Sequence, residues 1–376
     1  MEGMLSRLRR TRTLLSAALA ATVSATVLAA PAAAERQVTI SGAGFGHGVG
    51  MSQYGAQGYA LSGKRHGWIL NHYFAGTRVG RAPARTIRVL LASGRVATVA
   101  GASRAGRRAL QPRTTYTARL VGGKVELSGG GRRVRVAQRA RIAGPGPLQL
   151  GGLGSYRGAL ELSDDGDGLL QLVNAVGVEE YVRGVVAQEA FASWKPEALK
   201  AQAIASRTYA LANDKGGDGW DHYADTRSQR YGGVAAETPS TDAAVAATRG
   251  KVVTYRRSIV PIYFHASSGG RTENAEVGLG ATSQPWLRGV ADPADRVQNP
   301  SWARWTRRFP LATAERRLGG LVRGSLVEIR VLSTGFSGRV VSAEVVGSAG
   351  VTPVSGGDLA AAFELPSTWA TYAITG

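Results

Sequence analysis

Val178-Glu179-Glu180-Tyr181-Val182-Arg183-Gly184-Val185-Val186-Ala187-Gln188-Glu189, followed after Trp194 by Pro196-Glu197-Ala198-Leu199-Lys200-Ala201-Gln202-Ala203-Ile204-Ala205-Ser206-Arg207-Thr208-Tyr209, reads as two consecutive helices. The first is expected from about Val178 to Ala190, with Glu179 and Glu180 where a helix start favours negative charge. The second begins at Pro196, whose fixed φ and missing N–H suit a first helical position, and continues to about Leu211. Its many alanines permit close approach of neighbouring elements. Glu189 closes the apolar segment Val185-Val186-Ala187 and precedes Ala190-Phe191. Apolar surroundings disfavour a carboxylate, so such a group can hold its proton near neutral pH and donate it. On these neighbours alone, a surface or capping glutamate remains the simpler reading.

Just upstream, Ala159 to Leu162 and Leu169 to Val173 form a predicted hairpin around Ser163-Asp164-Asp165-Gly166-Asp167-Gly168. That turn lacks the spacing and closing glutamate of a calcium loop and reads as a plain turn. From about Thr86 to Leu150, short β-branched runs between Gly-rich turns predict a β-rich subdomain, with Gly144-Pro145-Gly146-Pro147 as its exit linker. Before it, Ser52 to Leu61 and Lys64 to Phe74 have helical spacing. Beyond Thr238 a short Ala-rich helix leads into strands at Lys251 to Tyr255 and Val260 to Phe264, and the last 75 or so residues alternate helix and strand signals. The expected division is a signal at 1–34, a Gly-rich unit with helices at 35–84, the β-rich subdomain at 85–150 and a core at 151–376.

Gly42-Ala43-Gly44-Phe45-Gly46-His47-Gly48-Val49-Gly50-Met51-Ser52-Gln53-Tyr54-Gly55 is the least ordinary string. Read as extended, it puts five glycines on one face and Ala43, Phe45, His47, Val49 and Met51 on the other. Bare backbone on one face admits a ligand or another strand. No phosphate-loop pattern fits it.

The first 34 residues have the three parts of a secretory signal: basic Arg7 to Arg12, an apolar run from Leu14 to Leu28, and Ala32-Ala33-Ala34. No later stretch approaches the roughly 18 uncharged apolar residues of a membrane span. An exported, extracytoplasmic chain is therefore expected. With no cysteine, the 376 residues have no disulfide, thiolate metal site or cysteine nucleophile. The net charge of +20 favours an anionic partner. Its excess is arginine spread through loops and strands; with no zinc-finger, RNP or basic-helix pattern, a nucleic-acid partner is not expected, and an anionic cell envelope suits better.

Three further strings mix hydroxyls, amides and aromatics with glycine, as a sugar site needs: Asp225 to Gly232, His265 to Glu273, and Pro285 to Val290. No G-x-S-x-G elbow is present, and the five histidines include no H-x-x-x-H pair. Neither a serine hydrolase nor a metal centre is expected.

Together, GHGVGMSQYGA (46–56), EEYVRGVVAQE, EALKAQAIASRTYA, SQRYGG, SSGGRTE and WLRGV resemble the SpoIID/LytB family of cell-wall proteins. The resemblance covers some 250 residues and leaves the stretch around 95–145 poorly accounted for. It implies an α+β fold: a mixed helix and antiparallel-sheet core carrying a β-rich subdomain. Sporulation members are lytic transglycosylases acting on glycan strands, and others are amidase enhancers; a cell-wall amidase is then a second partner beside peptidoglycan. The glutamate ending G-V-V-x-x-E is the family's catalytic acid, which carries over to Glu189. The shared strings imply substrate-binding roles for His47, Gln53, Tyr54, Lys200, Gln202, Arg207, Tyr209, Gln229, Tyr231, Ser267, Ser268, Gly269 and Gly270.

Two departures stand out. GHGVGMSQYGA usually lies near the family's C-terminus and here comes first, which implies a circular permutation. Some members place a His-Cys pair before the glutamine matching Gln229 and use it for zinc; Arg227-Ser228 stands there here, so no metal or other cofactor is expected. The implied chemistry uses Glu189 alone, as acid and then base, at the bond between muramic acid and glucosamine, and leaves 1,6-anhydromuramic ends.

Overall fold

Four helices hold the centre of the molecule: α1 (Gln53–Leu61), α2 (His66–Tyr73), α3 (Val178–Glu189) and α4 (Pro196–Ala212). They fall within a residue or two of their predicted bounds. The computed structural model describes residues 36–376 except Asp214 and Asn299, so the predicted signal lies outside the described residues. Helix α3 is amphipathic and buries Val178, Tyr181, Val182, Val185 and Val186. Helix α4 is buried on nearly every side from Ala198 to Ala210, and its alanines let α1, α2, α3 and the helix Pro239–Ala247 all pack against it. Among the described residues no helix is long and apolar enough to cross a membrane.

One charged residue sits inside that packing. Arg207, at the middle of α4, has no exposure at all. Its Nε and Nη2 donate to the two oxygens of Glu179 at 2.9 and 2.8 Å, and Nη1 donates to the carbonyls of Ala203 and Lys251. Glu179 also accepts the Gly250 N–H at 3.0 Å. A guanidinium cannot be buried without such a set of acceptors. The pair therefore pins the first turn of α3 to the centre of α4.

A seven-stranded, mostly antiparallel sheet packs on α3, and a six-stranded antiparallel sheet packs on that sheet in turn. The seven-stranded sheet runs in the order His222–Tyr223, Thr86–Gly94, Leu170–Gly177, Ala159–Asp164, Arg139–Ala143, Arg104–Ala105, Arg108–Ala109, with only the first pairing parallel. The six-stranded sheet runs Arg132–Arg135, Lys124–Gly129, Tyr116–Val121, Ala97–Ala100, Leu148–Leu150, Gly154–Tyr156. One hydrophobic core joins both sheets to α3, from Ile87 and Leu127 to Tyr181 and Val185. The hairpin at 159–177 is the middle of the seven-stranded sheet, between the strands Thr86–Gly94 and Arg139–Ala143. Its turn satisfies itself, Asp164 and Asp165 accepting the N–H groups of residues 166 to 169.

Strand Gln37–Gly42 lies between Trp305–Pro310 and Ala370–Thr375, and Gln37 is paired with Thr375. With these strands, residues 305–376 bury a separate core around Val38, Ile40, Leu359 and Phe363. The glycine string that follows is not the extended strand its period of two suggests. Gly44, Gly46, Gly48 and Gly50 all have φ between +75° and +98°, a region open mainly to glycine. The backbone loops, burying Ala43, Val49 and Met51 while Phe45 stays exposed. A Cβ on Gly48 would collide with the buried guanidinium of Arg339. Helices beside mostly antiparallel sheets make the fold α+β, as the family resemblance implies.

Removing one member of the Arg207 pair leaves a buried charge without its partner. Glu179→Ala should cost about 3–5 kcal/mol of stability, read from urea unfolding; a loss under about 1 kcal/mol would mean that the pair is not what joins α3 to α4.

Candidate active site

Glu189 is the last residue of α3, because Ala190 turns extended at φ −136°, ψ 145°. Its carboxyl stands at the carbonyl end of the helix, where negative charge is disfavoured. One oxygen accepts the backbone N–H of Arg230 at 2.9 Å and the other accepts from Gln53 Nε2 at a long 3.4 Å. Burial raises its pKa above the ordinary value, and the bonds from Arg230 and Gln53 oppose that rise. The group can therefore hold a proton, and two donors are already in place for its ionised form.

The carboxyl opens on a cleft of about 650 Å³ walled by aromatic rings. Tyr54, Phe191 and Trp194 form a cluster with centroids 5.2 to 6.3 Å apart, and Phe45 lies 4.7 Å from Trp302. Phe191 is 60% exposed and Phe45 41%, large apolar faces left open beside the acid. Tyr209 and Tyr263 lie deeper, the Tyr209 hydroxyl pushed up to about 12, first by burial and then by Tyr263 and Glu189. Lys215, Thr226, Ser228 and Arg230 add polar and basic groups. Among the described residues lining the cleft, Glu189 is the only carboxylic acid.

Of the residues named from sequence, the fold brings His47, Gln53, Tyr54, Glu189 and Tyr209 to this cleft. His47 is committed on both nitrogens: Nδ1 accepts the Val49 N–H at 3.0 Å and Nε2 faces the Phe264 carbonyl at 3.2 Å. Burial and then Arg339 lower its pKa to about 4, so it is neutral and is no second acid at neutral pH. Gln202 sits behind Gln53, 3.5 Å away, and donates to Ser206. Gln229 is buried beneath, donating to the Tyr181 hydroxyl and the Ser206 carbonyl.

The others lie elsewhere. Arg207 is consumed by Glu179, and Lys200 by Glu197 at 2.7 Å. Tyr231 packs against Gly184 of α3 and donates to Asn174 at 2.8 Å. Asp225, which opens one of the strings read as sugar-site polarity, is tied at the surface to Arg227 at 2.6 Å. Ser267, Ser268 and Gly269 surround Asp295, and Gly270 N–H is held by Ser268 Oγ. Asp295 accepts from Ser52 Oγ and Ser267 Oγ, each at 2.7 Å, and Asp292 accepts from Ser268 Oγ at 2.8 Å. Burial, then the charge of Asp295, raises the Asp292 pKa to about 7. Since Ser52 also caps α1, this network fixes the start of the helix that presents Gln53. Sequence reasoning passed over both aspartates; their one signal was a buried run of serine hydroxyls in want of acceptors.

Comparison with known proteins centres on the same elements. Residues 166–255, which include α3 and α4, match the family model "Stage II sporulation protein", SpoIID. The chain is similar to stage II sporulation protein D of Bacillus subtilis, 36% identical over 173 residues, which is 41% of this chain and 49% of that protein. It is 35% identical over 150 residues to an uncharacterized protein of Brachyspira hyodysenteriae, covering 39% and 40% of the two chains. The amidase enhancer of Bacillus subtilis is 37% identical over 114 residues, 30% of this chain and 15% of that protein. The chain thus spans half or less of the length of these relatives.

The raised pKa of Glu189 has a consequence for stability. The folded chain binds more protons than the unfolded one between the ordinary glutamate value of about 4.3 and the raised folded value, so stability falls as pH rises through that window. Glu189→Gln removes this loss and keeps an acceptor for Arg230. Urea midpoints should coincide with wild type below about pH 4 and exceed it increasingly as pH rises; parallel profiles would mean an ordinary carboxyl.

Proposed function

We propose that this chain, a relative of the SpoIID proteins through its helical centre, is an exported enzyme of the bacterial cell wall: a lytic transglycosylase that cuts peptidoglycan glycan strands. The observation that carries the reading is a single carboxyl of raised pKa between aromatic walls in an open cleft. Ordinary glycosidases use two carboxyl groups at a set separation. Transglycosylation by an internal hydroxyl needs one.

In the proposed reaction, sugar rings stack on Tyr54, Trp194, Phe191 and Phe45. Protonated Glu189 gives its proton to the glycosidic oxygen between muramic acid and glucosamine as the anomeric C–O bond breaks. The resulting carboxylate, steadied by Arg230 N–H and Gln53, takes the proton of the muramic 6-hydroxyl while that oxygen bonds to the anomeric carbon. Glu189 ends protonated, no water is consumed, and the product is a 1,6-anhydro ring. The phenol of Tyr209 orients the substrate without exchanging protons, and neutral His47, held on both nitrogens by backbone, only shapes the cleft wall.

A second reading rests on the similarity to an amidase enhancer: a wall-binding protein that stimulates an amidase and cuts nothing. Mass spectrometry of digested, peptide-free glycan separates the two. Anhydromuramic ends are expected, and Glu189→Gln should slow their release about a hundredfold to ten-thousandfold with the fold intact. Reducing ends would indicate a hydrolase; wall binding without soluble fragments would favour the enhancer.

A further inference from the structure

The excess basic charge of this protein is uneven along the chain: residues 36–94 carry seven basic and no acidic side chains, and the density is highest in the stretch that follows. Residues 151–376 carry 23 basic and 23 acidic side chains and are neutral, whereas residues 95–145 hold eleven arginines and one lysine against Glu126 alone. Compositional bias would enrich both stretches alike. All eleven arginines are exposed, and for eight of them no carboxylate lies within ion-pair distance among the described residues; Arg135, Arg139 and Arg141 have one each.

The strand register gathers part of this charge on one surface. In the six-stranded sheet, Arg119 pairs with Glu126 and Glu126 with Arg135, while Thr117 pairs with Ser128 and Ser128 with Arg133. Ala118, Val125 and Leu127 face the core, so Arg119, Arg133 and Arg135 stand together on the outer face. Arg133 and Arg135 are two residues apart on the edge strand, about 7 Å. One acid among three arginines leaves that face strongly positive.

The chemistry of the face also limits its partner. Tyr116 is the only aromatic residue in 95–145, and it is buried with its hydroxyl accepting the Gln111 N–H. Nothing there can stack on a nucleobase or a sugar ring, and a flat strand face enters no groove. What remains is recognition of bare negative charge by the positive face as a whole.

We infer that the outer face of the six-stranded sheet binds a flexible phosphodiester polyanion, a polyol-phosphate chain carried by the wall, and so holds the enzyme beside the glycan its cleft cuts. The link to cutting rests on the proposed function; the binding does not. Polyanion binding by arginine releases counterions and falls steeply with salt.

The test measures affinity of the purified protein for poly(glycerol phosphate) and for a DNA duplex of equal phosphate content across a salt series. Replacing Arg119, Arg133 and Arg135 together by Gln should weaken poly(glycerol phosphate) binding about tenfold or more and flatten the log–log salt slope by roughly 2. Replacement by Lys should keep most of the affinity. The Gln variant should unfold at the wild-type temperature and turn over a short soluble glycan at the wild-type rate, while Glu189→Gln should bind the polyanion as wild type does. Unchanged affinity in the Gln variant, or tighter binding of DNA than of poly(glycerol phosphate), would overturn the inference. Absence of glycan turnover in every protein would sink the proposed activity and leave the binding result standing.

Discussion

The buried pair of Arg207 and Glu179 sets the frame for the rest. A guanidinium keeps its charge at any accessible pH, so its burial at the middle of α4 demands a full set of acceptors. Glu179 supplies two of them from the first turn of α3, and the carbonyls of Ala203 and Lys251 complete the set. Once the start of α3 is fixed, its far end is fixed with it, three turns on. That far end is Glu189. The arginine shapes the cleft without lining it.

Local order was plain in the sequence, and long-range partnership was not. Pro196, the apolar spacing of α3 and the alanines of α4 gave both helices nearly to the residue. Glu189 was visible as a carboxyl beside apolar groups, but its donors come from residues 53 and 230, and no local pattern reports them. Arg207 entered as a candidate site residue through the strings shared with the family; only burial reveals Glu179 as its partner. The glycine string misled for a different reason. A period of two marks extended backbone only where φ is negative, and glycine is the residue for which that cannot be assumed.

The serine-rich loop shows the same limit. Ser267, Ser268, Gly269 and Gly270 have the polarity of a sugar site, yet they face inward to Asp292 and Asp295. Polar residues with glycine describe a buried hydrogen-bond network as well as a binding loop, since both need donors and tight turns. The cleft is instead recognised by side chains that sequence alone does not mark: Phe45, Phe191, Trp194 and Trp302 are ordinary core residues by type. What sets Phe45 and Phe191 apart is exposure beside an acid, a property of the assembled fold.

The donors that hold Glu189 come from residues 53 and 230, on either side of it along the chain. In an extended polypeptide the three segments are far apart, and Glu189 is a glutamate like any other, ionised and solvated. Its unusual proton affinity comes into being only when distant parts of the chain close around it. The raised proton affinity is therefore absent from the chain in any unfolded passage, and it arises only with the contacts that bring residues 53 and 230 to the end of α3.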